Sequence, residues 1–410
     1  MSKEYGNESI SALKGADRVR KRPEVIFGSK GIEGCEHSMF EILSNSIDEA
    51  REGFGSKIYV TRYRDHSIEV EDFGRGIPVE YNEKEGRYNW ELVFCELYAG
   101  GKYKNNSGGN YEFSLGLNGL GACATQYSSE YMDVLILRDG YKFELHFEKG
   151  ENIGGLKKTK FRHRHTGSKI RWKPDLEVFT EIDIPLDHYK SVLKRQAVVN
   201  PGIEFILKNE LENGEFEEFN YYYENGIADY VRELSDGKEL TPVQYIEAER
   251  VGRDREDLED YKVKMSFAFC FNNINNVIEY YHNSSFLEYG GSPDKAVRNA
   301  FVYAIDQYLK QNNKYNKNES KVQFTDIQDS LILVGSSLST VTSYENQTKK
   351  AITNKFIQDS MTEFLRTQLG IYFIENKMDA EKICDQVLVN KRSRETAERT
   401  RINAKKKLGG

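Results

Sequence analysis

Residues 37–49 read His-Ser-Met-Phe-Glu-Ile-Leu-Ser-Asn-Ser-Ile-Asp-Glu. Wound at roughly 100° per residue, this stretch has two faces. Phe40, Leu43, Ile47 and Ala50 fall on one and make an ordinary core stripe. His37, Glu41, Asn45, Asp48 and Glu49 fall on the other. A polar stripe is ordinarily a solvated face. This one sets a carboxylate able to act as a base one turn before an amide able to ligate a hard cation. Lys and Arg, the usual fillers of a solvated stripe, are absent from it. The helix therefore predicts a polar partner, and the rest of the chain is read for what that partner is.

The chain has 410 residues, enough for two domains with separate cores. Charged residues make up 30% and the mean hydropathy is −0.68, which predicts a soluble protein. No apolar run approaches the ~20 residues of a membrane span. The N-terminus MSKEYGNESI lacks the apolar core of a secretory signal. Five cysteines (Cys35, Cys95, Cys123, Cys270, Cys384) are scattered without CxxC spacing. That pattern predicts a reducing cytoplasm and argues against a zinc site or a disulfide framework. The net charge of −7 does not by itself suggest a nucleic-acid binder. The charge is uneven, however: residues 391–410 carry eight Lys/Arg against two Glu, a local +6 that leaves −13 on the rest.

Working outward, residues 1–10 read as a polar arm with one aromatic, Tyr5. A basic segment holding Arg18, Arg20, Lys21 and Arg22 ends at Pro23. After the two-faced helix comes a hairpin, Lys57–Arg64 and Ser67–Asp72, turning at Asp65-His66. Ile68, Val70 and Asp72 share a face, so Asp72 sits on the apolar side and demands a partner. Gly74-Arg75-Gly76-Ile77-Pro78 then breaks the strand. Residues 88–98 read as a helix. A glycine-rich stretch from Gly100 to Gly121 follows and leads into a helix near Ala122; free N–H groups in such a loop suit phosphates. Its spacing is neither the Rossmann fingerprint nor a Walker A. Asp139-Gly140 predicts a hairpin turn between two strands. His163 and His165 read as surface residues. Residues 210–262 are acidic and read as loop-rich, with a domain boundary near 230–240. Strands follow over Tyr261–Phe271 and 329–342, helices from Ser292 and from about 351 to 369, and a last helix, about 379–407. That helix loses its apolar stripe after Leu388, and the expectation is that it leaves the fold there.

These pieces together resemble a known family. Glu41…Asn45…Asp48-Glu49-Ala50, Asp72…Gly74-Arg75-Gly76-Ile77-Pro78, Leu97-Tyr98-Ala99-Gly100-Gly101-Lys102-Tyr103, Gly116-Leu117-Asn118-Gly119-Leu120-Gly121, Thr166-Gly167-Ser168 and Gln347-Thr348-Lys349 occur in the order found in the ATPase half of type IIA DNA topoisomerases. The first five blocks are shared with the wider superfamily of Hsp90, MutL and histidine kinases. The Gln-Thr-Lys loop and the second domain narrow the resemblance to the B subunits of bacterial gyrase and topoisomerase IV. It covers essentially the whole chain.

The resemblance implies an α/β (α+β) fold in two domains. A GHKL-type ATP-binding sandwich of a mixed sheet and helices would occupy 1–235, with an N-terminal dimerisation arm at about 1–15. A ribosomal-S5-like α/β transducer would occupy 236–410, ending in a long basic exit helix. Glu41 matches the general base that polarises the attacking water, and His37 the residue that orients it. Asn45 matches the Mg²⁺ ligand, its carbonyl being a hard donor. Asp72 matches the acceptor for the adenine amino group, with Ser168 where the family has Thr. Gly100, Gly101, Lys102, Leu117, Asn118, Gly119, Leu120 and Gly121 match the lid over the phosphates. Lys349 matches the lysine reaching the γ-phosphate, with Gln347 beside it. Arg75, Gly76, Ile77 and Pro78 line the pocket edge, Arg138 its rim, and Tyr5 and Tyr111 match the arm and lid tyrosines that touch nucleotide. Asp48 and Glu49 are expected to support the site, Asp48 by pairing with Arg75. Departures at Phe73, Tyr98, Leu115, Asn118 and Asn346 leave gyrase against topoisomerase IV open.

The implied activity is an ATP-binding and ATP-hydrolysing gate that dimerises on ATP to capture and pass a DNA duplex. The implied cofactors are ATP and Mg²⁺. The implied partners are double-stranded DNA, a second copy of the chain and an A-type cleavage subunit, with no membrane, in the bacterial cytoplasm at the nucleoid. The chain is expected to be a fragment, since an acidic metal-binding domain should follow it. Two other readings stand beside this one. A histidine-kinase domain needs a phosphoacceptor segment upstream of His37, and a MutL- or Hsp90-like clamp does not act as a topoisomerase.

Overall fold

The computed structural model describes residues 12–13, 15–97, 121–345 and 350–409. Two compact units form, Met1–Ala197 with Gly202–Tyr222, and Val198–Pro201 with Tyr223–Gly410.

In the first unit a mixed sheet runs Phe216–Tyr221, Glu204–Glu210, Lys57–Arg62, Ile68–Asp72, Gly167–Pro174, Ser129–Arg138 and Tyr141–Glu148, with Glu151–Asn152 and Lys157–Lys160 paired on the last strand. Lys57–Arg62 pairs in parallel with Glu204–Glu210, and the remaining ladders are antiparallel. Because side chains alternate across a strand, one face collects the apolar residues. Leu207, Val60, Val70, Ile170, Val134 and Leu145 lie in register across six strands, all buried. Two residues along the strands, Ile58, Asp72, Ser168 and Ile136 form the next row on the same face. The alternation that placed Asp72 on the apolar side is thus observed, and it sets Asp72 directly opposite Ser168. Asp139 and Gly140 take positive φ values of 52° and 79°, as the tight hairpin between the 129–138 and 141–148 strands requires.

Helix Ile32–Arg51 lies on this face, touching strands Lys57–Arg62, Ile68–Asp72 and Gly167–Pro174 and the helix Gly121–Tyr127. It begins five residues before the expected stretch, after Gly31. Its buried residues are Cys35, Met39, Ile42, Leu43 and Ile47, together with Ser38, Ser44, Ser46 and Asp48. Phe40 and Ala50, expected in the core, are only half-buried. Cover from two sides widens the buried arc and turns it away from the stripe that apolar residues alone suggest.

In the second unit the sheet runs Gln244–Gly252, Tyr261–Phe271, Leu331–Ser339, Val277–His282 and Ser285–Leu287. Strand Tyr261–Phe271 is buried on both sides. Val263, Met265, Phe267, Phe269 and Phe271 meet helices Ser292–Gln311 and Lys355–Glu375, while Ala268 and Cys270 meet Ile227, Ala228 and Val231 of helix Ile227–Ser235. That helix lies on the near side of the expected boundary at 235/236, yet its apolar face packs on this sheet. The acidic stretch 210–262 is also more ordered than expected. It contributes strands Phe216–Tyr221 and Gln244–Gly252, both at sheet edges, where acidic residues face outward and mask the period-2 pattern. Among the described residues no helix is long and apolar enough to cross a membrane.

The last helix, Lys377–Leu408, does not leave the unit after Leu388. Ion pairs take over where apolar packing ends. Lys391, with no exposed side chain, bonds Glu319 at 3.0 Å and Glu395 at 2.7 Å. Arg392 meets the same Glu319 at 3.0 Å, and Arg394 clasps both oxygens of Asp326 at 2.7 and 3.1 Å. Burial pushes the Glu319 carboxyl up, but hydrogen bonds from Arg392, the Asn316 amide and Lys391 outweigh it and hold it at about 2. Its contribution to stability is therefore present at neutral pH and lost as pH falls through about 2. Lys391→Met leaves buried carboxylates short of a cation, so a loss of about 3 kcal/mol is expected at pH 7. A denaturation midpoint for the second unit equal to that of the unaltered chain would contradict this clamp.

Candidate functional site

Helix Ile32–Arg51 presents a row of groups from His37 to Glu49, and strand ends close on it. At its start, His37 Nε2 lies 2.9 Å from Glu41 Oε1. The His37 ring is braced edge-on by Phe27, centroids 6.1 Å apart. The other Glu41 oxygen lies against the start of helix Gly121–Tyr127. A Cβ at Gly121 would overlap Glu41 Oε2, so only glycine lets the backbone pass the carboxylate here. Asn45, one turn on, is half-buried, and Asp48 is buried.

At the other end, Asp72 terminates its strand with its carboxylate buried. Oδ2 accepts the Ser46 hydroxyl at 2.6 Å, and Oδ1 accepts the amides of Gly74 at 3.0 Å and Ser168 at 3.3 Å. Burial raises the pKa of this carboxyl, and the three hydrogen bonds only partly offset that. A further donor from a ligand would therefore stabilise its charged form. Ser168 Oγ accepts the Ile77 amide at 3.0 Å. A Cβ at Gly167 would overlap the Asp72 carbonyl oxygen, so glycine is what lets the two strands bring Ser168 beside Asp72.

The turn 74–78 is held from three sides. Thr166 donates to the Gly74 carbonyl at 2.5 Å, and Arg138 to the Gly76 carbonyl at 2.8 Å. Glu49 accepts Arg75 Nη2 at 2.7 Å, Nε at 3.1 Å and the Arg75 amide at 3.1 Å, while the guanidinium stacks 4.1 Å over the Phe54 ring. Sequence reasoning gave Arg75 to Asp48 as its first partner; the two-pronged pair seen here is with Glu49, 26 residues away. Gly76 is buried in this turn, Ile77 half-buried and Pro78 exposed at its edge.

The structure thus brings together His37, Glu41, Asn45, Asp48, Asp72, Arg75, Gly76, Ile77, Pro78, Gly121 and Ser168 around one helix and the strand ends beside it. Tyr5, Gly100, Gly101, Lys102, Tyr111, Leu117, Asn118, Gly119, Leu120, Gln347 and Lys349 lie outside the described residues. Ser46 is a site residue that sequence reasoning missed. Its one signal was a serine within the sheet-facing row Met39-Ile42-Ser46, a polar group on an apolar stripe.

Two acceptor groups at opposite ends of one helix, over a mixed sheet, define a GHKL-type nucleotide-binding sandwich. Residues 226–403 match the family DNA gyrase B. The DNA gyrase B protein of Thermotoga maritima is 31% identical over 404 residues, covering 98% of this chain and 62% of that protein. That of Mycoplasma pneumoniae is 32% identical over 410 residues, covering 97% and 62%. Among solved structures, the 43K ATPase domain of Thermus thermophilus gyrase B in complex with an aminocoumarin superposes with a TM-score of 0.74 at 25% identity, covering 95% of this chain and 98% of that one. The topoisomerase IV ATP-binding domain of Francisella tularensis gives 0.69 at 25% identity, covering 93% and 98%. The chain is a relative of the ATPase portion of DNA gyrase B and topoisomerase IV, and it spans 62% to 63% of the length of the curated relatives it matches.

Proposed function

We propose that the chain binds and hydrolyses ATP as the N-terminal gate of a type II DNA topoisomerase. The observation that carries this reading is the single helix with Asp72 and Ser46 bonded at one end and the His37–Glu41 pair open at the other. Asp72 takes the adenine amino group and Ser168 supports that contact. Glu41 accepts a proton as the attacking water becomes nucleophilic, and His37 fixes the carboxylate. Lys349 and Gln347, assigned through the resemblance, supply positive charge and polarity at the γ-phosphate, where negative charge shifts during transfer.

The donor set fits Mg²⁺ in one way. Among the described residues no group of three or more His, Cys, Asp or Glu is placed to hold a metal. A hard ion here would therefore take the Asn45 carbonyl and complete its shell with water and phosphate oxygens. When bound it would neutralise phosphate charge; Asn45 orients it. Tyr5, Tyr111 and the 100–121 stretch complete the nucleotide contacts. The whole protein would act on double-stranded DNA with an A-type cleavage subunit, in the bacterial cytoplasm at the nucleoid.

Closure is tested by mass. Adding a non-hydrolysable ATP analogue with Mg²⁺ should double the mass seen by light scattering, because a nucleotide can shift only an equilibrium whose states it binds unequally. A chain that binds the analogue and keeps its mass is not a gate of this kind.

A further inference from the structure

The second unit buries a histidine that the proposed reaction does not use. His282 ends strand Val277–His282 with no exposed surface. Its Nδ1 lies 2.7 Å from Ser337 Oγ, and its Nε2 lies 3.1 Å from Ser339 Oγ and 2.9 Å from Thr342 Oγ1. The proton positions follow from the partners. Ser339 Oγ donates to the Val341 carbonyl at 2.6 Å, so it can only accept from Nε2, which therefore carries the proton. Nδ1 then accepts the Ser337 hydroxyl. Burial holds the imidazole neutral, its pKa driven down to about 3. The next residue, Asn283, extends the network: its amide N–H reaches Thr342 Oγ1 at 3.1 Å, and its Oδ1 accepts the Ser339 amide at 3.0 Å.

This network ends on Thr342, where the chain leaves the sheet toward the segment carrying Gln347 and Lys349. A second buried cluster takes the next residue. Asn354 Oδ1 accepts the Ser343 amide at 2.8 Å, and Asn354 Nδ2 donates to the Tyr261 hydroxyl at 2.9 Å. The two feet of the segment are tied to each other, Thr353 N to Ser343 O at 2.8 Å and Glu345 N to Ala351 O at 3.0 Å. The returning foot is tied to the sheet side, with Tyr289 N donating to Lys350 O at 2.9 Å. A surface loop does not need this many buried polar ties at its base. Each costs desolvation unless satisfied, and here every partner named is satisfied.

We propose that His282 is a positioning residue for Lys349: through Ser339 and Thr342 it fixes the departing foot of the segment and so sets where the lysine is delivered. This rests on the assignment of Lys349 to the γ-phosphate. Misplacing a reacting partner by about 1 Å can cost up to ~10²-fold.

The test uses the full chain and steady-state ATP hydrolysis. His282→Leu should lower kcat about tenfold, with analogue affinity within about twofold, since adenine recognition lies in the first unit. His282→Gln, which keeps a donor and an acceptor in the cavity, should recover most of the loss. Thr342→Val, which leaves the histidine in place, should lower kcat in the same direction and keeps the proposal testable if the leucine variant fails to fold. The deciding comparison is a double mutant. If His282 acts through Lys349, His282→Leu added to Lys349→Ala should slow turnover no further than Lys349→Ala alone. Losses that multiply, or a His282→Leu chain with unaltered kcat, overturn the proposal. A Lys349→Ala chain that turns over normally instead overturns the assignment of the lysine, and the proposal with it.

Discussion

Glu41→Gln is expected to lower ATP turnover by about 10²–10⁴-fold, the usual contribution of a positioned general base. The substitution keeps the side-chain shape, so the close fit against Gly121 survives, as does a hydrogen bond to His37. What it removes is a lone pair able to take a proton from water. Nucleotide affinity and analogue-driven dimerisation should stay within about threefold of the unaltered chain, because neither uses that proton transfer. His37 acts only by holding Glu41, 2.9 Å away, so its replacement by alanine should cost less, and little further in a chain already lacking Glu41. A glutamine variant turning over ATP at the ordinary rate would remove Glu41 from the role of base.

Asp72→Asn should carry the second large effect, on recognition. Asp72 sits buried with three donors already aimed at it, from Ser46, Gly74 and Ser168. An adenine amino group would be the fourth. Asparagine offers one acceptor oxygen where the carboxylate has two, and puts N–H groups where donors already point. A hydrogen bond to a charged acceptor contributes about 1.5–3 kcal/mol, so ATP affinity should fall roughly 10–10²-fold. Selectivity should collapse with it. A site built to accept an exocyclic amino group leaves its buried carboxylate facing a carbonyl when GTP enters, and that mismatch is what discriminates. In the asparagine variant ATP and GTP should bind within about tenfold of each other. Competition titrations that still find strong preference for ATP would place adenine recognition elsewhere.

Much of this site could be read from the chain because its signals are local. Alternation in the 68–72 strand put a carboxylate on an apolar face, and the structure supplies the partners that position demanded. The row from His37 to Glu49 follows from helical spacing alone. What could not be read depends on approach between segments distant in sequence. Ser46 meets Asp72 only because a helix crosses a strand end, and nothing in their 26-residue separation announces it. Glu49 rather than Asp48 holds Arg75 with two prongs because the 74–78 turn folds back beside the last turn of the helix, a detail of loop path. The outward shift of Phe40 came from cover on two sides of the helix, which apolar periodicity cannot show. The exit helix was misread for a related reason. Its apolar stripe does end at Leu388, but buried pairs at Lys391 and Arg394 continue the packing in residues that read as solvated.

The account stands most directly on one measurement: calorimetric titration of the Glu41→Gln chain, which should hold ATP without consuming it, with ATP and then with GTP in the presence of Mg²⁺. The expected result is one ATP per chain and binding of GTP at least about tenfold weaker, the share a single lost contact to the Asp72 carboxylate accounts for. No saturable binding of ATP, or equal affinity for the two nucleotides, would contradict it.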